Sequence, residues 1–253
     1  MSFQFTGADA YRSFMGRYAE PLAVLFADHA GAGDQPRALD VGSGPGALTA
    51  ELAGRLGAGA VCAAEPSPTF AAAVRRRLPA VAVIQAAAEH LPFAGGVFDL
   101  VTAQLVVHFM TDPAGGLREM RRVTRPGGTV AACVWDYGGG RGPASTLWQA
   151  AVELDRLARD ESDLPGVRED HLRALFDEAG LGEIRAGTLT VAVDYPSFEQ
   201  WWRPLTLGVG PAGTYVASLN ADQRAVLRER CRALLPVGPI EIQASAWTVA
   251  GRA

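Results

Sequence analysis

The run Ala38-Leu39-Asp40-Val41-Gly42-Ser43-Gly44-Pro45-Gly46 constrains this chain more than any other stretch. An apolar segment carrying one carboxylate leads into three glycines spaced G-x-G-x-G. Ala47 to Leu56 then places Leu48, Leu52 and Leu56 on one helical face. A strand, a glycine turn and a helix in that order form the opening unit of a nucleotide-binding α/β sheet. A backbone without Cβ atoms turns sharply and approaches a ligand closely, and the free amides of the helix start are expected to point at that ligand.

The rest of the chain reads as support for that unit. Residues 8–30 carry Tyr11, Phe14, Met15, Tyr18, Leu22, Leu25 and Phe26 at spacings of three and four, which predicts a helix divided in two at Pro21. A linker over 31–36 delivers the chain into the first strand. Further strands are predicted at 60–64, 81–84, 98–103 and 129–135. Between them lie a helix capped by Ser67, a loop over 86–93, and a helix over 113–123 halted by Pro126-Gly127-Gly128. Short apolar strands alternating with amphipathic helices imply a mainly parallel sheet covered on both faces. After Asp136-Tyr137-Gly138-Gly139-Gly140 the pattern changes: 144–180 reads as helical, 187–193 as a strand, 197–235 as more helices and 240–250 as a last strand. The two late strands suggest a hairpin at the sheet edge. The chain thus divides into an N-terminal helical cap (1–35), an α/β core (36–136), and helical insertions with terminal strands that complete the same sheet (137–253).

Charge and cysteine usage narrow the function. The net charge is −4, and the densest basic run, Arg75-Arg76-Arg77, falls on a predicted solvated helix face, which argues against nucleic acid as partner. Cys62, Cys133 and Cys231 are widely spaced in apolar surroundings, without the spacing of a metal site, as expected for a reducing cytoplasmic compartment. Met1 to Phe5 lacks the pattern of a signal peptide, and no apolar run reaches membrane-spanning length. The sequence is silent on oligomeric state.

Glycine-rich turns serve several cofactors. Gly42, Gly44 and Ala47 also fit G-x-G-x-x-A, the form used for nicotinamide or flavin dinucleotides. Glu65 lies nineteen residues after Gly46, at the end of the second strand, where a carboxylate accepts hydrogen bonds from both ribose hydroxyls in either class. The later motifs discriminate. Leu39 to Gly46, Glu65, Ala88-Glu89-His90-Leu91-Pro92-Phe93, Phe98-Asp99-Leu100-Val101 and Arg125-Pro126-Gly127-Gly128 occur in order and at compatible spacing. Together they resemble the class I S-adenosylmethionine-dependent methyltransferases, in the branch that includes ubiquinone/menaquinone-biosynthesis enzymes and small-molecule tailoring enzymes. The likeness covers about residues 36–136 well.

That resemblance implies a Rossmann-like α/β fold: a seven-stranded, mostly parallel sheet with helices on both faces, an antiparallel last strand and helical insertions. It implies S-adenosylmethionine as cofactor and a small-molecule acceptor. Asp40, Gly42, Ser43, Gly44 and Gly46 would lie against the cofactor's amino-acid tail, Glu65 would hold the ribose, and Pro66 would pack on the adenine. Ala87, Ala88 and Glu89 would form the adenine edge, with Gln104 and Leu105 flooring the site near the methyl group. The helix before the first strand would fold over the cofactor, placing Tyr11 there and pairing Arg17 with the cofactor carboxylate. The alternative is that Tyr11 and Tyr18 anchor a core while Arg17 faces water. One departure stands out: Ala87 replaces a residue that is often acidic in the family and would receive the adenine amino group, a role left to Glu89 or a backbone carbonyl.

Methyl transfer from a sulfonium needs alignment and exclusion of water, with a base for some acceptors only. His108 is the candidate base, the alternative being that it shapes the cofactor pocket. Trp148, Trp201 and Trp202 are candidate walls of an acceptor pocket or ordinary packing, and Gly138-Gly139-Gly140 is a hinge or a plain connection. Two further readings stay open: a nicotinamide-dependent oxidoreductase, although the chain has no lysine for a Tyr-x-x-x-Lys pair, and a non-catalytic cofactor-binding relative.

Overall fold

A computed structural model describes residues 7–33 and 36–253; the readings of Met1 to Phe5 and of Asp34-Gln35 in the linker lie outside it. Seven strands, β1 (Ala38–Val41), β2 (Val61–Ala64), β3 (Ala82–Ile84), β4 (Phe98–Gln104), β5 (Thr124–Trp135), β6 (Gly182–Tyr195) and β7 (Ile240–Arg252), form one sheet in the order β3-β2-β1-β4-β5-β7-β6. The first five pair in parallel, and β7 lies antiparallel between β5 and β6. The late strands therefore do form an edge hairpin, with the last strand on its inner side. Strand order reverses between β1 and β4, and a crevice opens at such a switch point beyond the carboxyl ends of the strands.

The helices are α1 (Ala8–Tyr11), α2 (Arg17–His29), α3 (Ala47–Leu56), α4 (Pro68–Arg77), α5 (Pro113–Val123), α6 (Ser145–Leu154), α7 (His171–Glu178), α8 (Phe198–Leu205), α9 (Gly210–Ser218) and α10 (Ala221–Leu234). Alternation along the strands divides the core. Ala38, Leu100 and Cys133 face α2, α3 and the insertion helices, while Leu39, Val101 and Val134 face α5 and α7. None of the helices is long and apolar enough to cross a membrane, among the described residues.

Two expectations about helices fail. Pro21 does not divide α2, which runs through it behind a π-helical turn at Arg12–Gly16. A proline inside a helix costs about 3 kcal/mol. Fully buried Leu22 and Phe26 each stabilise by roughly 1.5–3 kcal/mol, so packing wins. Nor is 144–180 continuous helix: 155–170 is loop and turns between α6 and α7. Its aspartates compete with helix locally, the Asp155 carboxylate accepting from the Leu157 amide and that of Asp160 from the Ser162 amide.

Candidate functional site

The glycine loop joins β1 to α3 with Gly42, Gly44 and Gly46 all left-handed, at φ of 66°, 55° and 89°. Their neighbours distinguish them. A Cβ on Gly42 would stand 2.5 Å from a Val106 methyl, so that glycine is needed for packing. On Gly44 it would meet no atom within 4 Å, because that position opens on a cavity. Gly46 packs toward Val74 and α4, and does not line the cavity.

The loop's own amides are engaged within the protein. Those of Gly42 and Ser43 donate to the Ala64 carbonyl at 2.7 and 3.2 Å, and that of Gly46 to the Ser43 carbonyl at 2.9 Å. The Gly44 amide donates to Glu65 Oε2 at 2.8 Å. A ligand here meets the open edge of the loop and the first turn of α3 at Ala47 and Leu48, rather than a row of loop donors.

Glu65 is 5% exposed, and its other oxygen accepts from the Ser67 amide at 2.8 Å. Each oxygen keeps a further lone pair for a ribose hydroxyl. Burial raises its pKa against the lowering effect of these two amides. Asp40, fully buried below the loop, accepts from the Thr49 hydroxyl at 2.6 Å. Burial pushes its carboxyl up to about 7, with the Thr49 bond pulling down and Glu65 adding to the rise.

Asp40, Gly42, Ser43, Gly44, Glu65, Pro66, Ala87, Ala88, Glu89, Gln104, Leu105 and Tyr11 all line one cavity of about 720 Å³. Its wall carries the carboxylates of Asp40, Glu65 and Glu89, and no arginine or histidine among the described residues. Such a wall suits a ligand bearing positive charge and repels a pyrophosphate. Two buried polar atoms on it, Ser43 Oγ and Gln104 Oε1, have no hydrogen-bond partner among the described residues. The other end of Gln104 is fixed, its Nε2 donating to the Ala19 carbonyl at 2.9 Å. A zwitterionic amino-acid tail would satisfy both, its carboxylate taking the Ser43 hydroxyl and its ammonium donating to Gln104 Oε1. Glu89 Oε1 already accepts the Thr111 amide at 2.8 Å, so that carboxylate holds the turn before α5 as well as bordering the cavity.

Leu105, just past β4, is a non-glycine residue at φ 62°, fastened by its amide to the Cys133 carbonyl at 2.8 Å. Left-handed backbone at a branched residue is strained and clusters at ligand sites. Leu105, Tyr11 and Phe109 also line a second, inner pocket of about 30 Å³. Phe14, Met15, His108, Trp135, Tyr137, Ala144, Glu161 and residues 209–212 at the start of α9 complete it. The two spaces share a wall.

Four placements bear on readings left open by the sequence. Arg17 stands away from both cavities: it donates to the Asp194 carbonyl at 2.9 Å and lies 4.3 Å over the Tyr195 ring. Its partner is a strand distant in sequence, which no local pattern reveals. His108 lies on the inner pocket, 3% exposed, and burial pushes its imidazole down to about 3. A ring that weakly basic is a poor proton acceptor at neutral pH. Trp201 and Trp202 pack with Phe198 and line neither cavity. Nor is Gly138-Gly139-Gly140 a loose hinge, since its three amides donate to Val167 O, Asp136 Oδ1 and Tyr137 O.

Glu161 is a buried carboxylate on the inner pocket that nothing in its local sequence marks. It is 3% exposed, accepts from Trp148 Nε1 at 2.9 Å and is hydrogen-bonded to Tyr137. Its setting, Arg159-Asp160-Glu161-Ser162-Asp163, reads as a solvated acidic loop, and Trp148 on α6 together with Tyr137 turns this one carboxylate inward.

Residues 39–132 match the model of a methyltransferase domain. A demethylmenaquinone methyltransferase of Mycolicibacterium paratuberculosis is 34% identical over 188 residues, spanning 71% of this chain and 75% of that protein. Among solved structures, the YcgJ protein of Bacillus subtilis superposes with TM-score 0.58 at 18% identity, covering 93% of this chain and 97% of its own. An S-adenosylmethionine-dependent methyltransferase of Thermotoga maritima gives TM-score 0.53 at 18% identity, covering 96% and 98%. These two likenesses concern the fold.

Proposed function

The chain belongs to the class I S-adenosylmethionine-dependent methyltransferases, in the group that includes the demethylmenaquinone methyltransferases, and we propose that its acceptor is a small, flat, apolar molecule. In this reading the 720 Å³ cavity holds the cofactor, and the inner pocket, about 30 Å³ as it stands, opens to receive the acceptor. The observation that carries it is the shared wall of Tyr11, Leu105 and Phe109 between an acidic cavity and an aromatic pocket. The cofactor, when bound, supplies a methyl group on a sulfonium, already activated for displacement.

The protein's part is to bind, orient and keep water out. Glu65 holds the ribose, Ser43 and Gln104 hold the amino-acid tail, and Asp40 stabilises positive charge below the glycine loop. Ala87, Ala88 and Glu89 border the adenine with Pro66 against its face. Tyr11, edge-on to Phe70 at 5.5 Å, covers the cofactor from α1 and bounds the acceptor space. Holding two reactants in line converts their encounter into a near-unimolecular step, and that alignment is the main source of acceleration in such a site.

The acidic wall weighs against a nicotinamide dinucleotide, and no relative among the comparisons favours that alternative or a non-catalytic role. Three unpaired thiols support placing the enzyme in the cytoplasm, and the net charge of −4 supports a small molecule over nucleic acid. Incubation with methyl-labelled cofactor tests the proposal, using 1,4-dihydroxynaphthalene, transfer RNA and a peptide mixture as acceptors. Label on the naphthalene is expected; label confined to RNA or peptide would contradict it.

A further inference from the structure

We propose that Glu161, hydrogen-bonded to Tyr137 and Trp148 on the wall of the inner pocket, takes the hydroxyl proton of a phenol-class methyl acceptor and makes the pocket prefer such acceptors over their ethers. This rests on the inner pocket being the acceptor site.

Glu161 is buried among apolar groups with no ion-pair partner among the described residues. Two neutral donors meet it, the Trp148 indole and the Tyr137 hydroxyl. A carboxylate buried that way costs stability unless something more than packing is served. It is the only carboxylate on the inner pocket among the described residues, and the other polar lining groups do not suit the task. His108 is held neutral by burial, its Nδ1 unpartnered, and Tyr137 holds its proton far above neutrality. Burial places Glu161 at about 7, where a base works at neutral pH. Phe14, Phe109, Trp135 and Tyr137 offer aromatic faces to the pocket, which must open from its present 30 Å³ to admit a flat ring.

In the step, the acceptor O–H bond breaks and its proton passes to a Glu161 oxygen. The electron pair left on the acceptor, on oxygen or delocalised to a ring carbon, forms the bond to the methyl carbon. The carbon–sulfur bond breaks with its pair on sulfur, giving a neutral thioether, and the proton later leaves Glu161 for solvent. Besides burial, the groups that shape the titration of Glu161 are Trp148 and Tyr137, whose hydrogen bonds lower its pKa, and Asp160 of its own loop, which raises it. Tyr11 and His108 share the pocket wall, and Tyr11 and Tyr18 act on Tyr137.

The test titrates 1-naphthol and 1-methoxynaphthalene calorimetrically into protein saturated with S-adenosylhomocysteine at pH 8. The wild type is expected to bind the naphthol about tenfold tighter than the ether, one charge-assisted hydrogen bond. Glu161→Gln is expected to close that gap while leaving S-adenosylhomocysteine affinity unchanged. Equal binding of the two probes by the wild type, or a gap surviving in Glu161→Gln, overturns the proposal. Absence of S-adenosylhomocysteine binding to the wild type would be seen first, and would remove the cofactor reading and this proposal together. Should Glu161→Gln fail to fold, Tyr137→Phe carries the test. Losing the Tyr137 donor raises the proton affinity of Glu161, so the pH midpoint of naphthol binding moves alkaline, and an unmoved midpoint overturns the assignment.

Discussion

Replacing Glu65 by glutamine separates what that carboxylate does for the ligand from what it does for the fold. Both of its oxygens hold backbone amides at 2.8 Å, those of Gly44 and Ser67. Glutamine has one oxygen, so one amide would face an NH₂ group. A buried donor left unsatisfied costs about 1–3 kcal/mol. A second effect opposes this: burial raises the pKa of Glu65, so its charge is a burden in the folded state that glutamine removes. The net loss of stability in the ligand-free protein is therefore below about 3 kcal/mol. Affinity has no such offset. A charge-assisted bond to the ribose is worth about 1.5–3 kcal/mol, and its loss weakens S-adenosylhomocysteine binding roughly 10- to 150-fold. Calorimetric titration reads the affinity and thermal denaturation of the ligand-free variant reads the stability. An affinity within threefold of the wild type would refute the ribose assignment.

Three other substitutions and one change of condition discriminate further. Gly42→Ala places a Cβ 2.5 Å from Val106 at left-handed φ, and a loss of about 2–4 kcal/mol is expected in urea melts, part of it recovered by adding Val106→Ala. Gly44→Ala pays only the backbone strain of about 1 kcal/mol, yet weakens S-adenosylhomocysteine severely because its methyl enters the cavity; the reverse pattern would mean the loop is misread. Arg17→Ala leaves cofactor affinity within twofold and lowers stability by about 1–2 kcal/mol, through the lost Asp194 bond and Tyr195 contact, as equilibrium unfolding would show. Asp40, raised by burial to about 7, holds a proton in the ligand-free fold near neutrality, so the stability it contributes is lost as pH rises from about 4 toward 7. A cationic ligand favours its ionised form, so affinity should grow from pH 6 to pH 8 with proton release on binding, measured by calorimetry in buffers of different ionisation enthalpy; a flat profile counts against Asp40.

The glycine loop, the parallel strands and Glu65 were readable because each depends on local pattern: apolar runs, left-handed glycines, a carboxylate at a strand end. The insertion of β7 between β5 and β6 is not legible in periodicity, which says nothing of strand order; the family likeness supplied only an antiparallel last strand. The place of Arg17 is not legible locally, because its partners, Asp194 and Tyr195, sit on β6, far along the chain. Pro21 was misread as a break because burial of Leu22 and Phe26 outweighs its local cost. Glu161 escaped notice for the same reason in reverse: nothing near it marks one acid of a polar loop for burial, and the indole that draws it inward belongs to α6.

The most direct measurement is calorimetric titration of the wild-type protein with S-adenosylhomocysteine and, separately, with NADH. A cavity with three carboxylates and no cation among the described residues, and with acceptors and donors set for an amino-acid tail, predicts micromolar binding of the first and none of the second. Binding of NADH without S-adenosylhomocysteine would contradict the account at its centre.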